Sequence, residues 1–298
     1  MKGISIIITC YNCEKFISEC IESIINLGIK NPYEIIIIDD FSTDNSYELL
    51  KKFNDHNNIK IIRNENNMGP QYSRNTGIDK AKFDYIMIMD GDDKLNKNLT
   101  LINNETYLDR AIDILFNDNN IAFVQGLNQM FGAFEGLTIT SYPLSEELAI
   151  KKHHIQTSII HRKTDSPKYN LKIKKWQDWS YGVALLNKRY LQGKENKIFF
   201  IEEPYYLYRI HENTKRISNS IVSQEDMILQ TIIENPNIFE KYYGKKDYTL
   251  IAKEIYESIP TKMISMLYVA NNNLDIALQM CKERQYDVFS PTEPHNFP

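Results

Sequence analysis

Three carboxylates surround one glycine at the end of an apolar segment, and they are the residues of this sequence most suited to chemistry. Asp90, Asp92 and Asp93 flank Gly91 directly after the run 83–89. Carboxylates that lie close together repel each other unless a cation or shared protons offset their charge. Their hard oxygens suit Mg²⁺ or Mn²⁺, which commonly also bind substrate phosphates. The alternative is a plain turn at a strand end, because Asp and Gly are both favoured in turns.

The segment that carries these acids has the composition of a buried parallel strand. Similar β-branched runs occur at 4–9, 33–38 and 59–62, and helical patterns separate them. This alternation predicts βαβ units and a mainly parallel sheet. Right-handed crossovers place the strand ends at one edge, where open α/β sheets bind ligands. The polar residues expected at this edge are Thr9, Tyr11, Asp40, Arg74, Asp90 and Asp92.

Three of these residues suit a nucleotide. Tyr11 directly follows the first strand and offers a face on which a base can stack, unless it packs against the next helix. Asp40 ends the second strand and can accept a hydrogen bond from a pyrimidine N–H or a ribose hydroxyl, although such acids are also ordinary turn residues. Arg74 can pair with a diphosphate through its guanidinium, or it is a solvated helix arginine.

The second half of the sequence offers a candidate base and a candidate metal ligand. Asp178 lies between Trp176 and Trp179, an apolar setting that raises a carboxyl pKa and suits a general base, while a helix N-cap is the alternative. We expect the two indoles to form a stacking wall for a sugar. Arg209 and His211 share one face of a predicted strand, so the imidazole can contact a metal or a phosphate, or be a satisfied structural histidine. Further strands are predicted at 157–162, 198–201 and 205–211.

Composition and charge limit the class of protein. The chain has 298 residues, of which 42% are hydrophobic and 25% charged, as is ordinary for a soluble globular protein. A net charge of -4 argues against nonspecific nucleic-acid binding. No apolar run approaches a membrane-spanning length and no basic region precedes the first one, so we expect a cytoplasmic protein without a signal peptide. Cys10 and Cys13 form a C-x-x-C without a second pair, which favours free thiols over a zinc site.

Together, these motifs resemble those of family 2 glycosyltransferases with the GT-A fold. The resemblance covers roughly residues 3 to 215. The segments that carry it are 5–12, 34–44, 66–77, 90–93, 177–178 and 208–211. Two positions depart from the family pattern: Gln177 stands where Glu is usual, and Cys10 stands where proline is usual.

The resemblance implies a Rossmann-like, mainly parallel central sheet flanked by helices and followed by a helical C-terminal extension. The GT-A domain is expected at 1–215, with a nucleotide-binding half at 1–95 and an acceptor-binding half at 96–215. The extension is expected at 216–298. The implied activity is that of a metal-dependent inverting glycosyltransferase of the hexosyltransferase type, with a UDP-sugar as donor and Mn²⁺ or Mg²⁺ as cofactor.

The resemblance also implies a role for each candidate residue. Asp178 is the expected catalytic base, and Glu202 or Glu203 is the next carboxylate to consider. Nucleotide binding is expected from Thr9, Tyr11, Asp40, Arg74 and Asp90. Metal binding is expected from Asp92 and His211, and support of the donor phosphates from Asp90, Asp93 and Arg209.

The expected acceptor is a hydroxyl of a glycan, a lipid-linked sugar or a protein, in bacterial surface polysaccharide synthesis. A sugar-phosphate nucleotidyltransferase is a rival, but segment 9–12 lacks the glycine-rich basic loop that it would need. A noncatalytic nucleotide-sugar-binding module is a second rival, although the intact acids argue against it. The helical pattern after residue 219 predicts either helices packed on the main domain or a docking surface for a second copy, another protein or the inner membrane face.

Overall fold

A single mixed sheet forms the centre of the computed structural model, which describes residues 1–97, 105–133, 135–137, 144–211 and 222–258. Its described strands are β1 (Ile4–Cys10), β2 (Tyr33–Asp39), β3 (Ile59–Arg63), β4 (Tyr85–Asp90), β5 (Lys94–Leu95), β6 (Ile121–Gly132), β7 (Gly136–Leu137), β8 (Ile160–Arg162) and β9 (Lys197–Ile210). The described helices are α1 (Ile17–Ile25), α2 (Ser46–Lys51), α3 (Pro70–Lys80), α4 (Tyr107–Asn117), α5 (Glu146–Lys151), α6 (Gln177–Leu191), α7 (Gln224–Glu234), α8 (Pro236–Tyr243) and α9 (Tyr248–Glu257). Neighbouring strands follow the order β3-β2-β1-β4-β8-β6-β9-β5, and β7 pairs with β6.

The first half of the sheet is parallel, as the alternation of strands and helices predicts. β1 lies between β2 and β4, and β3 pairs with the outer side of β2. All of β1 is buried, which explains its continuous run of apolar and β-branched residues. The register sets Thr9 beside Asp90 of β4 and Cys10 beside Asp39 of β2. The polar ends of these strands therefore meet at one edge.

The second half of the sheet contains antiparallel pairs. β8 runs antiparallel between β4 and β6, and β5 runs antiparallel to β9. The prediction of two strands at 198–201 and 205–211 is wrong, because β9 is one strand of 14 residues. Its pairing with β6 jumps from Ile201 to Tyr206. This bulge accommodates Pro204 without ending the strand.

Helices cover both faces of the sheet and create two apolar layers. Ile6 and Ile8 of β1 pack with α1 and α4, whereas Ile7 packs in the layer that contains α3 and α6. This alternation is the two-residue period of a strand. Burying a side chain of this size contributes about 1.5–3 kcal/mol, so each layer contributes substantially to the stability of the sheet.

The described C-terminal helices belong to the second of these layers. Ile232 of α7, Phe239 of α8 and Ile251 of α9 are fully buried in it, which matches the packing alternative for this region. The rest of this helical pattern, after residue 258, lies outside the described residues. The domain boundary at 215 lies outside them too and stays a prediction. None of the described helices has the length and apolarity needed to cross a bilayer.

Candidate active site

The turn after β4 places the acidic motif at the edge where the parallel strands end. Thr9 Oγ1 donates a 3.1 Å hydrogen bond to Asp90 Oδ1, and the Gly91 amide donates to the Thr9 carbonyl at 2.9 Å. A Cβ atom at Gly91 would lie 2.9 Å from that carbonyl oxygen, so a larger residue would force the two strands apart. The glycine thus allows the chain to turn tightly, with Asp90 and Asp92 on either side of it.

Arg74 reaches the same edge from α3. A Cβ atom at Gly77 would lie 2.2 Å from Ile7 Cγ2, so this glycine allows α3 to pack directly on β1. The guanidinium is buried, and its Nη2 donates a 2.9 Å hydrogen bond to Asp90 Oδ1. Burial alone would lower the pKa of Arg74, but Asp90 and other neighbours outweigh it and hold the pKa above its usual value. A permanent cation therefore lies beside the acidic motif.

The same guanidinium also reaches Asp178 at the start of α6. Arg74 Nη1 donates to Gln177 Oε1 at 2.9 Å and lies 3.7 Å from Asp178 Oδ1. The N-cap of α6 is Trp176, whose φ of 59° is left-handed, so the N-cap alternative for Asp178 is wrong. Arg74 thus brings together Asp90, the last residue of β4, and Asp178, which lies 88 positions later in the chain.

The environment of Asp178 suits a proton acceptor. Its Oδ2 accepts a 2.8 Å hydrogen bond from Thr157 Oγ1, while its buried Oδ1 has no hydrogen-bond partner. Burial raises the pKa of Asp178, the nearby charge of Asp90 adds to the increase, and Arg74 and Thr157 oppose it. The raised pKa agrees with the expectation from the sequence.

Asp92 and His211 contact each other on the other side of Gly91 from Asp90. His211 Nε2 lies 2.7 Å from Asp92 Oδ2, and the imidazole packs on the ring of Phe16 with centroids 5.0 Å apart. Burial and the neighbouring charge of Asp90 raise the pKa of Asp92. The contact brings together two predicted metal ligands that are 119 positions apart.

Arg209 and Asp93 make hydrogen bonds next to this pair. Arg209 Nε donates to the Asp92 carbonyl at 2.7 Å, and its Nη2 is bonded to Glu19. Asp93 is buried and accepts hydrogen bonds of 2.7 Å from the Tyr206 hydroxyl and from the Arg209 amide. Both side chains thus already make hydrogen bonds within the protein. Their direct contact with the phosphates of the nucleotide sugar stays a prediction.

The donor atoms of Asp92 and His211 fit a small divalent cation. One carboxylate and one imidazole meet here. Burial raises the pKa of Asp92, and the negative charge of Asp90, which a cation would offset, adds to the increase. Among the residues that the structure describes, no group of three His, Cys, Asp or Glu side chains is gathered for a metal. Mg²⁺ usually keeps several waters and is held by one or two carboxylates together with substrate phosphates. Two protein ligands are therefore enough for an ion that a diphosphate helps to bind.

Two exposed aromatic residues lie in the loops after β1 and β2. Tyr11 is 47% exposed and Phe41 is 42% exposed, so both offer free ring surface. Phe41 and Asn12 have φ values of 63° and 53°, a strained left-handed conformation that is frequent at binding sites. Asn12 Oδ1 accepts hydrogen bonds from the Thr43 amide and hydroxyl, which joins the two loops. Asn12 was not predicted as a site residue, because a positive φ at a residue other than glycine has no clear sequence signal.

Asp40 organises the loop that leads to α3. Its Oδ1 accepts from Asn64 Nδ2 at 2.7 Å and from the Met68 amide at 2.9 Å, and its Oδ2 accepts from the Gly69 amide at 2.7 Å. A carboxylate offers about four lone-pair positions, so one position remains for a ligand. The contact of Asp40 with a nucleotide stays a prediction.

The expected sugar-stacking wall is wrong for one of the two tryptophans. Trp179 is fully buried, its Nε1 donates to the Ala149 carbonyl at 2.8 Å, and its ring packs edge-on against Phe239. Only Trp176 is partly exposed. Thr157 was also missed as a site residue, since nothing in its local sequence links it to an acid 21 positions later.

Several known proteins are similar in sequence to this chain. A family model described as "Glycosyl transferase family 2" matches residues 5–117. The poly(ribitol-phosphate) beta-N-acetylglucosaminyltransferase TarS of Staphylococcus aureus is 25% identical over 238 residues, which are 76% of this chain and 39% of TarS. The minor teichoic acid biosynthesis protein GgaA of Bacillus subtilis is 28% identical over 295 residues, which are 92% of this chain and 56% of GgaA. This chain therefore spans well under two thirds of either relative.

Solved structures extend the similarity to the fold. The crystal structure of S. aureus TarS 1-349 in complex with UDP-GlcNAc superimposes with a TM-score of 0.64 at 17% identity. The match covers 95% of this chain and 78% of that one. The expected GT-A architecture, with a mostly parallel sheet flanked by helices, is confirmed.

Proposed function

We propose that this chain is a family 2 glycosyltransferase and that it transfers a sugar from a nucleotide sugar to an acceptor hydroxyl. The family model that matches residues 5–117 supports this proposal. The observation that carries this proposal is the shared contact of Arg74 with Asp90 and with Asp178. One carboxylate belongs to the strand edge where a nucleotide diphosphate would bind, and the other begins a helix on the far side of the guanidinium. A glycosyltransferase needs a binding site for the nucleotide sugar and a general base next to it.

The donor that we propose is a UDP-sugar. Tyr11 presents an exposed ring at a strand end, and stacking of a base on such a ring contributes about 1–3 kcal/mol. The positive charge of Arg74 lies at the same edge and favours a diphosphate there, while its two Nη atoms donate to Asp90 and Gln177. The TarS structure in complex with UDP-GlcNAc supports uridine as the nucleoside.

We further propose that Asp92 and His211 hold Mn²⁺ or Mg²⁺. The bound ion would neutralise charge on the leaving diphosphate. Arg209 helps to position Asp92, because it donates a hydrogen bond to the Asp92 carbonyl. Asp93 in turn holds the backbone of Arg209 by accepting a hydrogen bond from its amide. In this proposal the protein supplies two ligands of the ion, and the diphosphate of the nucleotide sugar supplies others.

Asp178 serves as general base in the proposed reaction. Its carboxylate takes the proton of the acceptor hydroxyl as that oxygen attacks the anomeric carbon. The bond between the anomeric carbon and the diphosphate oxygen breaks on the opposite face, so the configuration inverts. The pKa of Asp178, raised by burial, makes it a stronger base than an ordinary aspartate.

For the acceptor, we propose a hydroxyl of a cell-surface polymer that contains sugar or polyol phosphate units. The names of TarS and GgaA support this choice within the wider class of glycan, lipid-linked and protein acceptors. Synthesis of such a polymer from nucleotide sugars would place the protein in the cytoplasm, at the inner face of the membrane. Contact of the C-terminal extension with a membrane or a second copy stays a prediction for the part beyond residue 258.

The test is a thermal-shift screen of nucleotides and nucleotide sugars with Mn²⁺, followed by assays of product release. A ligand at one hundred times its Kd adds about 2.7 kcal/mol of stability. We expect UDP-sugars to stabilise the protein and to release UDP when an acceptor is present. Binding without transfer or donor hydrolysis would indicate a noncatalytic module. Release of pyrophosphate from UTP and a sugar phosphate would indicate a nucleotidyltransferase.

A further inference from the structure

We propose that Thr157 is the positioning residue of Asp178, and that its hydroxyl fixes the oxygen with which this base meets the acceptor. The proposal rests on the proposed transferase function, because it concerns the base of that reaction. It adds a residue that lies outside every motif on which the family resemblance was based. The evidence is the geometry around the two carboxylate oxygens.

The two oxygens of Asp178 have different surroundings. Oδ1 is buried, and its nearest charged neighbour is Arg74 Nη1 at 3.7 Å. The side chain as a whole is nevertheless 29% exposed. Since Oδ1 is closed off while the side chain is partly exposed, we infer that an acceptor hydroxyl reaches Oδ2. Oδ2 is also the oxygen to which Thr157 Oγ1 donates, at 2.8 Å.

One hydrogen bond at this position is enough to orient the base. The carboxylate torsion of aspartate is broad and roughly two-fold, so an unbonded carboxylate samples many orientations. The Thr157 hydroxyl occupies one lone pair of Oδ2 and leaves the other for the acceptor. Because this hydrogen bond fixes the plane of the carboxylate, the remaining lone pair of Oδ2 points in one direction, toward the acceptor hydroxyl.

Thr157 itself is held by a well-packed segment. Ile155 and Ile159 on either side of it are buried, and the Ser158 carbonyl accepts a 2.9 Å hydrogen bond from the Tyr205 hydroxyl. A Cβ atom at Gly182 of α6 would lie 2.5 Å from Ile155 Cδ1, so the segment packs closely on the helix that carries Asp178. The Thr157 hydroxyl and the Asp178 carboxylate are therefore fixed relative to each other.

The hydrogen bond also affects the proton affinity of the base. Arg74 of α3, Asp90 of β4 and Tyr169 of the loop before α6 are the charged and titratable groups that interact with Asp178. Burial and Asp90 raise its pKa, whereas Arg74 and the Thr157 hydroxyl lower it. Loss of the hydroxyl should therefore raise the pKa of Asp178 further and move the acid limb of the activity to higher pH.

The experiment compares Thr157→Val, Thr157→Ser and the matched control Thr231→Val. Thr231 is buried, and its hydroxyl contacts Ser180 of the same α6 without touching Asp178. We expect Thr157→Val to lower kcat by about 10- to 100-fold, since a displacement of about 1 Å can cost about 10² in rate. Its KM for the nucleotide sugar should stay unchanged and its acid limb should move to higher pH. Thr157→Ser should restore kcat and the pH profile, and Thr231→Val should match the wild type in both.

A second measurement separates this proposal from the proposed function. Carboxyl ¹³C NMR of Asp-labelled protein, with Asp178 assigned through Asp178→Asn, reports its pKa without turnover. If the wild type transfers no sugar, the proposed function fails, whereas a higher pKa of Asp178 in Thr157→Val still supports the contact. Wild-type kcat and pH profile in Thr157→Val, or an unchanged pKa of Asp178, would overturn the proposal.

Discussion

The guanidinium of Arg74 donates a 2.9 Å hydrogen bond to Asp90 although only 6% of the arginine side chain is exposed. A buried cation of this kind is costly unless its charge is balanced. Here Asp90 supplies the closest negative charge, and Asp178 supplies a second at 3.7 Å. The stability of the protein and the charge balance of the proposed site thus depend on the same ion pairs.

Replacement of Arg74 by methionine should therefore destabilise the protein. Breaking a buried ion pair costs about 3–5 kcal/mol, and we expect the lower end because Asp90 is 33% exposed. Arg74→Lys keeps the charge but loses the fork that reaches two partners, so its loss should be smaller. Urea unfolding of the three proteins measures this, and equal stability of Arg74→Met and the wild type would contradict the assigned charge balance.

The exposed ring of Tyr11 makes a specific prediction about donor binding. Tyr11→Ala should weaken UDP binding by about 5- to 150-fold, which corresponds to about 1–3 kcal/mol of stacking energy. Tyr190→Ala is the matched control, since Tyr190 is 38% exposed but lies in the last turns of α6. Calorimetry with UDP, ADP and GDP gives the affinities. The assignment fails if Tyr11→Ala binds UDP like the wild type, or if the three nucleotides bind equally well.

Metal dependence leads to a prediction for Asp92. Excess chelator should abolish transfer, Mn²⁺ or Mg²⁺ should restore it, and Asp92→Asn should behave like the chelated enzyme. This variant should remain folded, because burial and Asp90 already raise the pKa of Asp92 and make its negative charge unfavourable. Asp84→Asn is a control at an exposed acid of the same type. Full activity in excess chelator would exclude the proposed role of the ion.

Much of the parallel half of the fold could be predicted from local sequence. Buried parallel strands such as β1 and β4 need continuous apolar runs, and the polar residues that follow them must lie at the sheet edge. This reasoning placed Asp90 and Arg74 together, and their contact in the structure agrees with it. The family resemblance supplied Asp178, which local patterns alone left open as an N-cap.

Contacts between distant segments could not be predicted in this way. The hydrogen bond between Thr157 and Asp178 depends on how the segment before β8 packs on α6, and neither sequence segment encodes it alone. Trp179 is buried because its indole N–H reaches the carbonyl of Ala149, a partner that no periodicity reveals. The direction of β8 also follows from tertiary packing, since a three-residue strand has no sequence signal for antiparallel pairing.

The raised pKa of Asp178 predicts how its replacement affects stability at different pH values. A carboxyl group with a raised pKa in the folded state binds its proton more tightly there than in the unfolded chain, where its pKa is about 3.9. The contribution of Asp178 to the stability of the wild type therefore falls as the pH rises from that value through the folded pKa, and Asp178→Asn lacks this contribution. The difference in unfolding free energy, Asp178→Asn minus wild type, should increase between acidic and neutral pH. A difference that stays constant over this range would contradict the raised pKa.

The most direct measurement of the central claim is the turnover of Asp178→Asn with UDP-sugar, Mn²⁺ and acceptor. Asparagine keeps the shape of the side chain but cannot take the proton, and general-base catalysis typically contributes about 10²–10⁴-fold. Glu203→Gln, which changes one of the two alternative carboxylates on β9, Glu202 and Glu203, serves as the control. We predict that Asp178→Asn lowers kcat by that factor with unchanged affinity for UDP and metal, while Glu203→Gln keeps the wild-type rate. Transfer by Asp178→Asn at the wild-type rate would contradict the assignment of Asp178 as the base.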